Sequence, residues 1–156
     1  MASQRIAELR DRIELFSNSL FIYVRNIVIN SEEIIVEMNA EKQLYNMGIT
    51  SLGIDINSFA PYKEFTIKKK KEKGQPTDRV TLRDTEDFHK SFFVDAKEEE
   101  FEIKAGDWKT ERLILRYGDE IMGLTGENLT TLIWQHIYPY ICEQRDNLIK
   151  NGYTEN

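Results

Sequence analysis

The sequence predicts an α+β fold, with a long N-terminal helix and a C-terminal helix packed with a small antiparallel hairpin at about residues 93–104. Three patterns carry that expectation: an apolar stripe of helical spacing near the start, strand-like alternation in the middle, and i, i+3, i+4 spacing near the end. A chain of 156 residues with 40% hydrophobic content suits one domain, residues 1–150, with a core that needs neither disulfides nor metals. Residues 151–156 are expected to fray.

The first stripe runs Ile6, Leu9, Ile13, Phe16, Leu20, Tyr23 and Ile27, one face of a long helical segment over about residues 4–47. It serves either the core of its own domain or a seam against neighbouring copies, and the pattern allows both. Ser17, Asn18 and Ser19 are a possible break, and Ser31 a possible restart. Gly48 is the expected left-handed stop. The run to Ala60 reads as a loop pinned by Ile49, Leu52, Ile54, Ile56 and Phe59. Pro61 suits the first turn of a helix capped from Ser58, and Gly74 ends it. Asp84 or Thr85 is a candidate cap for a short helix anchored by Phe88 and Phe92.

Residues 93–97 and 100–104 alternate as paired strands around Glu98 and Glu99. That acidic turn is a solvated tip or a contact with a basic partner. Asp107 caps a helix that Gly118 terminates, and Thr125 or Gly126 precedes the last and clearest one. There Leu129, Leu132, Ile133, His136, Ile137, Tyr140 and Ile141 share a face. Pro139 lacks an N–H and crowds the preceding turn, so the helix is expected to kink near Gln135.

Charge and cysteine usage narrow the function classes. Lys plus Arg 21 against Asp plus Glu 27 gives a net charge of -6, which argues against a wholly basic nucleic-acid binder while leaving local basic patches open. Cys142 is the only cysteine, which removes an internal disulfide and a cysteine-based zinc site and favours folding inside a cell. The start of the chain lacks signal-peptide order, and Leu20–Ile29 falls far short of the roughly 20 apolar residues of a membrane span. A protein without membrane contact is expected.

The most informative segment is Lys73-Gly74-Gln75-Pro76-Thr77-Asp78-Arg79-Val80-Thr81-Leu82-Arg83-Asp84-Thr85. Gly74 and Pro76 set a turn, and Val80 and Leu82 alternate with Thr81 and Arg83 as a short strand or extended arm does. Arg79 and Arg83, paired with Asp78, Asp84 or a partner's acids, either brace their own subunit or latch the next one. Upstream, Lys68, Lys69, Lys70, Lys71 and Lys73 form a run that suits a solvated face, an acidic partner or a phosphate backbone.

Catalysis finds little support. Asp78, Asp84, Asp87 and His89 lie within a dozen residues and invite a divalent-metal nuclease reading, but Asp84 reads as a cap, Asp87 as a first-turn acid and His89 as pointing away from Phe88. His136 reads as a packed core histidine. No phosphate-cradling loop, serine elbow or paired-cysteine motif is present. The residues point to a non-enzyme with no catalytic, metal or cofactor site.

Leu44-Tyr45 with Gly48, the Phe59-Ala60-Pro61-Tyr62 loop end, the lysine-rich helix and the Lys73–Thr85 segment with Phe88 resemble tailed-phage virion morphogenesis proteins, the head–tail connector and tail-completion group. The Gly-Gln-Pro-Thr-Asp form is similar to versions in phages of Bacteroidetes hosts, including crAss-like phages. The likeness covers about residues 44–92; Glu86 departs from it, standing where that pattern has glycine after Asp-Thr. The resemblance implies a ring subunit of the neck or upper tail, found in the virion after assembly in the host cytoplasm. Its partners would be copies of itself, other connector, portal or tail proteins, and packaged DNA. It also makes Arg79, Arg83, Asp78, Asp84 and the stripe Ile6, Leu9, Ile13, Phe16 and Leu20 candidate interface residues.

Overall fold

The computed structural model describes residues 2–150, so the expected fraying of 151–156 lies outside the described residues. The fold is α+β, with a long N-terminal helix, a two-stranded antiparallel sheet and a C-terminal helix. Helix α1, Ala2–Asn30, runs without interruption through Ser17, Asn18 and Ser19. The possible break does not form: Phe16 and Leu20 continue the apolar stripe on either side, and Ser and Asn each cost a helix only tenths of a kcal/mol, about 0.5 per residue.

Ser31 turns the chain into α2, Glu32–Glu37, which continues as a wider π-helix over Met38–Met47. Gly48 stops it at φ 67, as expected, with its N–H donating to the Leu44 carbonyl at 3.2 Å. Ile35, Met38, Ala40 and Leu44 enter the core beside Ile56, Val80, Ile121 and Leu132. Two polar side chains sit among them. Asn39 donates to the Ile121 carbonyl at 3.1 Å and accepts from Gly123 N at 3.0 Å. Gln43, one turn on, donates to the Gly123 carbonyl at 2.9 Å and accepts from Thr125 N at 2.8 Å. Both amides are thereby satisfied, and they clamp the 118–125 connection to the π-helix.

Helix α3 spans Glu64–Glu72 and starts later than expected. Pro61 and Tyr62 precede it as extended chain, and the Ser58 hydroxyl donates to the Asp55 carbonyl at 2.6 Å within a 3-10 turn instead of capping α3. Helix α4, Asp87–Lys90, begins at Glu86 with no side-chain cap. Asp84 does not cap it, because its carboxylate is taken by Lys73.

Strands β1, Phe92–Ala96, and β2, Phe101–Ala105, pair Val94 with Ile103, close to the expected hairpin. The Lys97 N–H donates to the Glu100 carbonyl at 2.8 Å to close the acidic turn. The hairpin docks on the helices through Val94 N to Glu32 at 3.0 Å and Arg25 to the Ala96 carbonyl at 3.2 Å. In α5, Thr110–Tyr117, Asp107 accepts from Lys109 N at 2.7 Å just ahead of the first turn. Thr125 caps α6, Gly126–Leu132, accepting from Asn128 N at 3.3 Å. A π-turn over Ile133–Ile137 leads into α7, Tyr138–Lys150. The widened turn covers Gln135, where a kink is expected, and ends two residues before Pro139, whose missing N–H and ring disfavour the normal α bond there. Helix α7 returns along α1, with Arg12 donating to the Ile149 carbonyl at 3.3 Å. Among the described residues, no helix is long and apolar enough to cross a membrane.

Gly48 also marks a close approach: a Cβ there would lie 3.0 Å from Arg79 Cβ and 3.2 Å from the Val80 carbonyl oxygen. Gly74, at φ 64, faces open space. Gly74→Ala should therefore cost about 1 kcal/mol for the left-handed backbone alone, and Gly48→Ala about 2–4 kcal/mol because crowding adds to it. Urea unfolding of the two variants measures the difference.

Candidate functional site

The charged segment folds back on α3 and the π-helix, and its charges are spent inside the chain. Lys70 is the centre of this arrangement. Its side chain points inward and is only 4% exposed. The ammonium donates to the Arg83 carbonyl at 2.6 Å, Gln75 Oε1 at 3.1 Å and Thr81 Oγ1 at 3.3 Å, an acceptor for each of its three protons. It also lies 4.9 Å from the centre of the Tyr62 ring. The Tyr62 hydroxyl in turn accepts from Thr81 N at 3.0 Å and Leu82 N at 3.2 Å.

The alternation expected of Val80–Arg83 is not what forms. Val80, Thr81 and Leu82 are all buried, and Leu82 takes a left-handed φ of 54. Side chains supply the bonds a strand partner would: Tyr62 receives two N–H groups, and Thr81 Oγ1 accepts the Arg83 N–H at 3.3 Å. A non-glycine residue in this region is strained by roughly 1–2 kcal/mol, which the burial of Leu82 and the Tyr62 bonds offset.

Arg79 and Arg83 converge on Tyr45. Arg79 donates through Nε to the Tyr45 carbonyl at 2.9 Å and through a terminal nitrogen to both Asp78 oxygens at 2.9 Å. Arg83 lies over the Tyr45 ring at 4.4 Å and bridges Glu41 at 3.2 Å and Glu86 at 3.0 Å. Within the chain, then, both arginines have brace geometry. Glu86 also pairs with Lys90 at 2.7 Å. Asp84 pairs with Lys73, whose hydrogen bond and charge hold its carboxyl below the usual range.

The lysine run therefore divides. Lys70 is withdrawn from phosphates or acidic partners, contrary to its grouping with its neighbours, because helical spacing turns it toward Tyr62 and Thr81. Lys73 is occupied by Asp84, while Lys68, Lys69 and Lys71 remain exposed. The apolar stripe of α1 divides as well. Phe16 is half-buried and stacks on Tyr23, but Ile6 is 68% and Ile13 55% exposed, and Leu9 and Leu20 are exposed with them.

Asp78, Asp84 and His89 do not form a ligand set; among the described residues, no group of three or more His, Cys, Asp or Glu is placed to hold a metal. His89 does not point away from Phe88: it is buried and its ring packs against Phe88 and Phe92. Its Nε2 lies 2.9 Å from the Thr81 carbonyl, an obligate acceptor, so Nε2 carries the proton. The buried Nδ1 has no partner. His136 is half-buried on the last helical segment.

Sequence reasoning did not find Lys70, Tyr62 and Thr81 as a linked group, nor the Asn39 and Gln43 clamp. The i, i+4 spacing of Asn39 and Gln43 beside Met38 and Leu44 was the available signal. Comparison with protein-family models, curated proteins and solved structures finds no match to this chain.

Burial lowers the His89 pKa to about 4, reinforced by the charges of Arg83 and Lys70 and opposed by the Thr81 bond and Glu86. The unfolded chain, near 6.5, binds more protons across this window, so stability is full above about pH 6.5 and falls as pH drops toward 4. The loss attributable to His89 is up to about 3 kcal/mol. Denaturant melts from pH 7 to 4 should show this slope, and His89→Gln should be less stable at pH 7 but flatter over the same range.

Proposed function

We propose that this chain is a phage virion structural protein of the neck or upper tail, a head–tail connector or tail-completion subunit that acts by assembling into a ring around the DNA passage. The observation that carries this reading is the N-terminal half of α1. A 29-residue helix is about 43 Å long, and its far half presents Ile6, Leu9 and Ile13 on one line and Leu15 on another, which Ile22 continues past the midpoint, all exposed although α7 lies alongside. A helix apolar on more than one face needs more neighbours than its own chain supplies. Copies around a closed ring supply them, each contact modest and the closed set strong.

The likeness of residues 44–92 to virion morphogenesis proteins supports the same reading. The braced segment supplies a stiff body from which the α1 arm extends, and assembly, not chemistry, is the work of such a part. A non-specific DNA contact is the second reading, favoured by Lys68 and Lys71, which stand exposed one helical turn apart without a carboxylate partner among the described residues.

Sedimentation velocity or native mass spectrometry of the full chain should show concentration-dependent self-association. Ile6→Asp with Ile13→Asp should weaken it at least about tenfold while leaving the urea midpoint of the unassociated chain nearly unchanged, since both positions are exposed. A chain that stays monomeric at all concentrations contradicts the reading. Duplex retention that falls steeply with salt and is lost in Lys68→Gln, Lys71→Gln would favour the second reading.

A further inference from the structure

A cleft of about 320 Å3 opens between α3, the charged segment and α5, at the small end of the range of ligand pockets. Helical spacing builds two of its walls. Phe65, Thr66 and Lys69 bring one face of α3 to it, and Lys109, Leu113 and Tyr117, spaced four apart, bring one face of α5 from its cap to its end. Leu82 of the charged segment and Phe88 of α4 supply the third wall. Leu82, Phe88 and Tyr117 are buried, so the floor is apolar, while Phe65 stands 68% exposed at the edge.

The charges of this lining are unlike those of the chain as a whole. Lys69, Lys70, Arg83 and Lys109 face only the carboxylates of Asp84 and Glu86, in a chain whose net charge is -6. Most of these groups are engaged: Lys70 by Gln75, Thr81 and the Arg83 carbonyl, Arg83 by Glu41 and Glu86, and Asp84 by Lys73. Lys69 and Lys109 are left, with no carboxylate partner among the described residues.

The Lys69 ammonium lies 4.7 Å from the centre of the Phe65 ring, part of the cleft wall. The Lys109 ammonium lies 5.4 Å from the Trp108 ring, and its charge adds to the Lys73 hydrogen bond and charge in holding the Asp84 carboxyl below its usual range. One spare positive charge therefore stands on each helical wall of an apolar pocket. A neutral apolar ligand leaves these charges unanswered, and a small inorganic anion leaves the floor uncovered. A molecule apolar at one end and anionic at the other answers both.

We propose that the cleft binds a small amphipathic organic anion, with an aromatic or compact apolar body against Leu82, Phe88, Leu113 and Tyr117 and a carboxylate at the mouth within reach of Lys69 and Lys109. The acid end stays partly hydrated there, so each ammonium adds modestly and burial of the body supplies most of the affinity. The bonds from Lys70 fix the path of the Leu82 wall, so the pocket is formed before the ligand arrives. Binding at this site is separate from self-assembly through α1.

Naphthoate and naphthalenemethanol share a ring system and differ in the charged end, and titration of each into the full-length chain, by calorimetry and by amide chemical shifts, tests the site. Naphthoate should bind with a Kd at or below about 1 mM and the alcohol at least about fivefold more weakly. The shifts should concentrate at residues 82–89 and 109–117. Lys69→Gln with Lys109→Gln should bring the acid down to the alcohol and leave the alcohol unchanged, which also shows that the variant keeps its pocket. Lys69→Arg with Lys109→Arg keeps both charges and should keep the preference for the acid.

No saturable binding of naphthoate by about 5 mM, or shifts centred on α1 instead, overturns the site. Equal binding of acid and alcohol, or a naphthoate affinity indifferent to the glutamine pair, overturns the assignment to an anion. A preference lost to the same extent in the arginine pair as in the glutamine pair overturns the role of the two charges.

Discussion

The buried ammonium of Lys70 is the contact on which the charged half of the molecule depends. A cation withdrawn from water costs several kcal/mol, on the order of its lost hydration, unless each proton finds an acceptor. Here the acceptors come from three places along the following segment: Gln75, Thr81 and the Arg83 backbone. Satisfying Lys70 therefore fixes the path of the chain from the end of α3 to α4. That path sets Leu82 in its left-handed conformation, delivers two N–H groups to Tyr62 and aims Arg79 and Arg83 at Tyr45. The absence of a side chain at Gly48 lets the backbone at Arg79 and Val80 come against the π-helix. A segment with almost no regular secondary structure is held by side chains at every step.

A second buried polar group does the same for the other half. Asn39 and Gln43 reach across to residues 121–125, so the π-helix grips the charged segment near Tyr45 and the start of α6 near its middle. The body is stiff because these bonds leave few alternative partners for buried amides. The first half of α1 is held differently, by α7 alongside it and the Arg12 bond to the Ile149 carbonyl. It carries Ile6, Leu9, Ile13 and Leu15 exposed to solvent beside α7, and on the proposed reading a neighbouring copy covers them.

Legibility followed locality. Gly48 as a stop, Thr125 as a cap, Pro139 as the cause of a disturbed turn and the 92–105 hairpin could be read because each rests on backbone geometry or on alternation within a few residues. Lys70 could not be singled out from five lysines, since composition gives each the same charge and only the positions of Tyr62 and Thr81 decide which turns inward. Period-two reasoning sets Thr81 on the face opposite Val80 and Leu82, which holds for a paired strand and fails for a segment bonded through side chains, where all three are buried. Asp84 had two local uses, cap or ion pair, and the distant Lys73 settled the choice. The stripe on α1 was plain in the sequence, but spacing alone does not say what covers it.

Urea unfolding of Lys70→Ala beside Lys71→Ala tests this account most directly, because the two lysines are adjacent in one run and differ only in where the structure puts them. Loss of the buried ammonium strands three acceptors and opens a void, so Lys70→Ala should lose about 2–4 kcal/mol while Lys71→Ala stays within about 0.5 kcal/mol of the parent. Equal effects from the two substitutions would contradict the internal brace and return the whole run to the surface.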